Sequence, residues 1–168
     1  IGHALAGRMF RQKVTQIELT GLGGITQFER SLTPSVLART VIFLAGPGAN
    51  LGLWLGLGAL AASSALAPYP MLRFTVTSIA TLNFYLLVFN LLPAYPLDGG
   101  RTLDAWLGKL LGPIWAVRIV ACLGLFVALA CVAYALPSNF WMLLVAFFLG
   151  QFNWAALQGV GGLGGGRR

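Results

Sequence analysis

Charged residues are absent from three long stretches of the chain, 40–72, 74–97 and 119–166. An apolar helix rising 1.5 Å per residue needs about 20 residues to cross the hydrocarbon core of a bilayer. Proline and polar breaks divide the stretches into four pieces of suitable length, near 41–67, 74–92, 114–136 and 140–157. The breaks are Ala67-Pro-Tyr-Pro70 and Pro137-Ser-Asn139. Proline removes an amide and restrains the residue before it, so both are expected as tight turns between antiparallel helices. Residues 1–10 read as the end of a further apolar helix, closing in Arg8, Arg11 and Lys13, with its start before Ile1. The pattern predicts an all-α polytopic membrane protein with about four complete transmembrane helices plus the end of a fifth.

One interval follows a different period. In 14–29, Ile17 and Leu19 alternate with Gln16, Glu18 and Thr20, and Gly21 to Gly24 offer a turn. This predicts a short β-hairpin after the first helix. Such a hairpin is either a plain connector or an edge that accepts an extended peptide as an added strand. At the other end, six glycines in 159–168 read as a flexible linker or tail, leaving 1–158 as the membrane-embedded core.

Composition agrees with this division. Hydrophobic residues make up 58% and charged residues 9%, against about 25% charged in a soluble domain, which excludes disorder, a coiled coil and a nucleic-acid-binding domain. The net charge of +7 is explained by topology. With the 8–39 loop cytoplasmic, Arg8, Arg11, Lys13, Arg30, Arg39, Arg101, Lys109, Arg118, Arg167 and Arg168 all lie on the cytoplasmic side, and only Arg73 lies opposite. No nucleic-acid partner is needed. Cys122 and Cys131, nine residues apart in one apolar run, point to opposite helix faces and read as buried thiols.

Three polar interruptions carry candidate chemistry, because polar groups at membrane depth are costly. His3 is the sole histidine; by itself it reads as a structural residue or as a ligand. In Asn90-Leu-Leu-Pro-Ala-Tyr-Pro-Leu-Asp-Gly-Gly-Arg101, two prolines open the helix end, and glycines after Asp98 let the chain turn closely around whatever the carboxylate touches. In Ala45-Gly-Pro-Gly-Ala-Asn50, the Asn50 amide needs a partner within the bundle. Gly48, Gly52 and Gly56 then form a small-residue face for close helix packing.

Taken together, these segments resemble the site-2 protease family, the intramembrane zinc metalloproteases, over essentially the whole chain. That family has a helix with His-Glu-x-x-His, a hairpin rich in Gly-Gly, a span with Gly-Pro-x-x-Asn, and a later span ending in Asn-x-x-Pro followed by Asp-Gly. Ile1-Gly-His3 matches the last three positions of the first motif, Gly46-Pro-Gly-Ala-Asn50 the third, and the segment from Asn90 to Gly99 the fourth. The family's first histidine and its glutamate fall at the two positions before Ile1, which is taken as truncation; a parent that has lost the motif is the alternative.

The resemblance implies that His3 is the second imidazole ligand of a Zn2+ ion and Asp98 the carboxylate ligand. Histidines four apart share a helix face, three protein ligands leave one position for water, and the glutamate serves as general base. Asp104 is the competing carboxylate, in an expected amphipathic helix with Arg101 and Lys109. Asn90 and Asn50 would orient the site or the substrate, and the hairpin with Gly23 and Gly24 would steer an unwound substrate. The implied function is endoproteolysis of transmembrane segments within the lipid bilayer, with the active site on the cytoplasmic side. This 168-residue stretch, lacking the general base, is expected to be inactive. A rival expectation is a non-catalytic membrane scaffold, either a pseudoprotease or a transporter-like bundle with a site at Pro93 and Pro96.

Overall fold

The computed structural model describes residues 2–9, 14–20, 23–28, 35–135 and 140–164. The expected turn at 137–139, residues Gly21 and Leu22, and the tail residues 165–168 lie outside the described residues. Among the described residues six α-helices and two strands follow in order: α1 (Gly2–Met9), β1 (Val14–Thr20), β2 (Gly23–Phe28), α2 (Val36–Ala62), α3 (Pro70–Asn90), α4 (Asp98–Leu111), α5 (Pro113–Ala135) and α6 (Phe140–Gly164). Of these, α2, α3, α5 and α6 are long and apolar enough to cross a membrane. Their outer faces are strongly apolar, with Phe126 70% and Trp141 75% exposed. Such a surface is stable in hydrocarbon and not in water, so the chain is an integral membrane protein.

The chain divides into two compact units, Ile1–Asn90 and Leu91–Arg168. In the first, α1 packs on α2 and α2 on α3. The Ser35 hydroxyl caps α2 by accepting from the Ala38 amide at 3.2 Å. The helix starts five residues earlier than the apolar run suggests, because this cap sits outside the membrane-length pattern. It also ends earlier, at Ala62, in a short 3-10 turn over Ser64–Leu66, and α3 then begins at Pro70. Proline suits a first helical position, where its missing amide has no intrahelical partner to lose. Strands β1 and β2 run antiparallel with Leu19 opposite Gly24 and Thr20 opposite Gly23. Gly23 and Gly24 are therefore ladder residues, not turn residues.

In the second unit, α4 packs on α5 and α5 on α6. Gly112, with φ of 87°, closes α4, and Pro113 opens α5, a positive-φ glycine stop followed by a proline start. Small residues line the α5 core: Ala116, Val120, Ala121, Gly124 and Ala128 are buried. That lets α6 approach closely. Helix α6 continues to Gly164, past the end expected near residue 157, so the first glycines of the expected linker are helical. Internal hydrogen bonding keeps such residues helical in an apolar setting, where glycine's cost in water counts for less. The buried-thiol expectation fails for Cys122, which is exposed, while Cys131 is half-buried; a thiol on a lipid-facing surface behaves as a small apolar group.

Candidate metal centre

His3 sits in the first turn of α1, against the part of α2 that precedes Pro47. Its Nδ1 lies 2.8 Å from the carbonyl oxygen of Ile42. A carbonyl only accepts, so Nδ1 carries the proton and donates, and the lone pair belongs to Nε2. This is the arrangement of a metal-binding imidazole, whose second nitrogen is tied to a carbonyl or carboxylate that fixes tautomer and ring plane. Two sequence features make the approach possible. A Cβ on Gly2 would overlap the Ala45 carbonyl, so only glycine lets α1 lie this close. Pro47 is buried inside α2, where it removes one i→i−4 hydrogen bond and loosens the turn before it. Gly-Pro thus shapes the α2 backbone at the level where His3 meets it.

Asp98 is placed by a different device. Helix α3 stops at Asn90, residues 91–97 are non-helical, and Asp98 is the first residue of α4. Within the break, the Ala94 amide donates to Leu92 and the Leu97 amide to Ala94, both at 2.9 Å, while the Arg101 amide donates to Leu97. The Tyr95–Pro96 peptide is cis. Gly99 and Gly100 do not turn around the carboxylate. They lie inside the first turn of α4, where a Cβ would overlap the carbonyls of Leu91 and Ala94 respectively. The glycines thus let the start of α4 sit directly on the broken segment. Asp104 follows six residues later, about 240° around the helix, so the two carboxylates do not share a face.

A histidine nitrogen of defined tautomer and a carboxylate are donors that suit Zn2+. Among the described residues no group of three or more His, Cys, Asp or Glu side chains is gathered. His3 belongs to the first unit and Asp98 to the second. Asn50 is half-buried on α2, and among the described residues its amide has no hydrogen-bond partner, contrary to the expected one. A half-buried amide escapes the full cost of desolvation, which removes the need. Asn90 donates from Nδ2 to the Leu86 carbonyl at 2.9 Å on its own helix. A groove of about 280 Å³ between α2 and α3, lined by Trp54, Gly58, Arg73 and Thr77, lies at the opposite end of α2 from His3 and takes no part in this site.

Sequence reasoning passed over two buried amides. Asn83 in α3 and Asn153 in α6 are the buried polar side chains among the described residues. Asn83 donates to the Ile79 carbonyl, one turn back. Asn153 reaches across to the broken segment before Asp98, accepting from the Tyr95 amide and donating to the Tyr95 carbonyl. Their signal was available: each is an amide within an uncharged run, where apolar residues suffice for spanning.

Known proteins resemble this chain along most of its length. The profile of peptidase family M50 matches residues 67–134. Rip3 of Mycobacterium tuberculosis is 33% identical over 160 residues, covering 89% of this chain and 40% of that protein. A zinc metalloprotease of Methanocaldococcus jannaschii is 30% identical over 152 residues, covering 89% of this chain and 43% of that protein. The chain therefore spans about two-fifths of the length of these relatives. The solved structure of a site-2 protease from Methanocaldococcus jannaschii superposes with a TM-score of 0.70 at 25% identity, covering 93% of this chain and 70% of that one. Over most of its length the chain is thus similar in sequence to these zinc metalloproteases and in fold to a site-2 protease.

Proposed function

We propose that the full-length protein is an intramembrane zinc endopeptidase that cuts transmembrane segments of other membrane proteins, with His3 and Asp98 as two of its zinc ligands. The observation that carries this reading is the His3 hydrogen bond, which leaves Nε2 as the basic nitrogen of a ring already held in one tautomer. The similarity to zinc metalloproteases supplies the chemistry that such a nitrogen serves.

Zinc held there supplies the Lewis acidity that polarises a peptide carbonyl and readies water for attack. This chain's residues prepare that event. His3 is oriented by Ile42, and Asp98 is delivered by the break in the chain before α4. Asn90 has already spent one amide proton on Leu86, leaving Oδ1 to accept from a substrate amide. A substrate helix must open first, because its own hydrogen bonds shield its carbonyls. The outer edge of the β1–β2 ladder offers the opened segment a strand partner, and Gly23 and Gly24 allow close backbone approach. Asn50 supports the site from α2. The distribution of lysine and arginine argues that the site opens to the cytoplasm.

The test is to purify the full-length protein, measure its zinc content, and assay cleavage of a transmembrane reporter. Bound zinc is expected, with cleavage reduced to background by His3→Ala and by Asp98→Ala. A zinc-free protein, or undiminished cleavage by Asp98→Ala, overturns the reading.

A further inference from the structure

We infer that Asn153, on the last helix, is a positioning residue for Asp98, acting through the backbone of Tyr95; the inference rests on the zinc-site reading above. Asn153 is fully buried. Its Oδ1 accepts from the Tyr95 amide at 3.0 Å, and its Nδ2 donates to the Tyr95 carbonyl at 2.9 Å and to the Leu149 carbonyl at 2.7 Å. Both amide protons and the oxygen are therefore engaged, and the side chain pairs with both backbone groups of one residue, Tyr95, while its second proton goes to Leu149 of its own helix.

Space for the amide is built into the neighbouring helix. A Cβ on Gly124 of α5 would overlap the Asn153 side chain. An apolar residue at position 153 would satisfy the packing of α6 on α5 without such a concession. The need lies elsewhere: Tyr95 is in the non-helical segment, where no helical ladder serves its amide and carbonyl, and the fully buried Asn153 side chain meets both. An unpartnered buried amide or carbonyl is costly, so without Asn153 this segment has reason to rearrange.

The segment in turn fixes Asp98. Ala94, next to Tyr95, is completely buried, and its carbonyl both accepts from the Leu97 amide and lies against Gly100 in the first turn of α4. Asp98 stands between those two contacts. A shift of Tyr95 therefore moves the start of α4, and with it the carboxylate. Asn83 provides the contrast, because its amide donates to Ile79 of its own helix.

The experiment compares the full-length wild-type protein with Asn153→Ala, Gly124→Ala and Asn83→Ala, measuring zinc affinity by competition with a chelator and thermal unfolding with and without zinc. Asn153→Ala is expected to weaken zinc about 10- to 100-fold, the range for residues that orient a metal ligand. Gly124→Ala, which leaves Asn153 in place but crowds its amide, should move zinc affinity in the same direction. Asn83→Ala should lower the unfolding temperature and leave zinc affinity within twofold. Where Asn153→Ala does not fold, Asn153→Asp keeps the shape and the acceptor, and should bind zinc more weakly than wild type. Zinc affinity within twofold of wild type in the folded Asn153 variants overturns the inference and leaves the protease reading standing. A wild-type protein that binds no zinc overturns both.

Discussion

His3 and Asp98 are held by opposite strategies. His3 rides on a regular helix, and one hydrogen bond to Ile42 sets its ring, with Gly2 allowing α1 to press against α2. Asp98 stands at the end of a seven-residue break whose own amides and carbonyls need partners, and Asn153 provides them from a distant position in the chain. The first arrangement needs only a close helix approach. The second gives up helical hydrogen bonding over residues 91–97 and recovers it through turns, glycines and a buried amide. A ligand borne on a helix is therefore cheap to orient, and a ligand borne on a break is sensitive to everything that holds the break.

The largest difference is expected when the break is disturbed from within. Gly100→Ala would place a methyl group against the backbone of Ala94, which no side-chain rotation relieves. Overpacking of this kind costs about 1–3 kcal/mol, and here the strain falls on the residues that deliver Asp98. The full-length variant should unfold at lower temperature and lose most of its cleavage of a transmembrane reporter. Near wild-type activity would show that the start of α4 can shift without moving the carboxylate, and the comparison with His3 would lose its force.

A smaller effect is expected on the other side. Gly2→Ala puts a Cβ into the Ala45 carbonyl, so α1 must withdraw from α2 and the 2.8 Å bond from His3 to Ile42 must lengthen. The histidine remains present but loses its orienting partner, and zinc affinity in the full-length protein should fall by about 10-fold. Unfolding should move less than in Gly100→Ala, since α1 spans just Gly2–Met9 and can yield as a body. Equal losses of stability in the two variants would mean that the short helix is as firmly anchored as the break.

What the sequence discloses about these regions follows from how local each device is. The four spans were legible because lipid demands about 20 consecutive apolar residues. Their ends were less so: the Ser35 cap, the stop at Ala62 and the helical glycines up to Gly164 depend on local hydrogen bonds that hydropathy ignores. His3 and Asp98 stood out as polar groups at span ends. The glycines after Asp98 suggest a turn around the carboxylate, because a Gly-Gly pair in a helix turn and one in a loop look alike until the carbonyls of Leu91 and Ala94 are in place. Asn153 gave no local cue to its partner, since 58 residues separate it from Tyr95. Gly124 was equally silent, because a glycine that admits a side chain from another helix resembles one that merely packs.

The smallest effect tests a glycine of the first unit that resembles Gly124 in sequence alone. Gly48, Gly52 and Gly56 recur every fourth residue on α2, yet a Cβ on any of them would meet nothing within 4 Å among the described residues. Gly124, by contrast, is occupied by Asn153. Gly52→Ala should therefore leave zinc affinity and unfolding of the purified protein nearly unchanged, with any shift stabilising and no larger than about 1 kcal/mol, the helix preference of alanine over glycine. If cleavage of a transmembrane reporter falls while zinc affinity and unfolding stay constant, the open stripe is a surface on which another helix must lie, and the two units would differ in whether small residues serve the fold or the substrate.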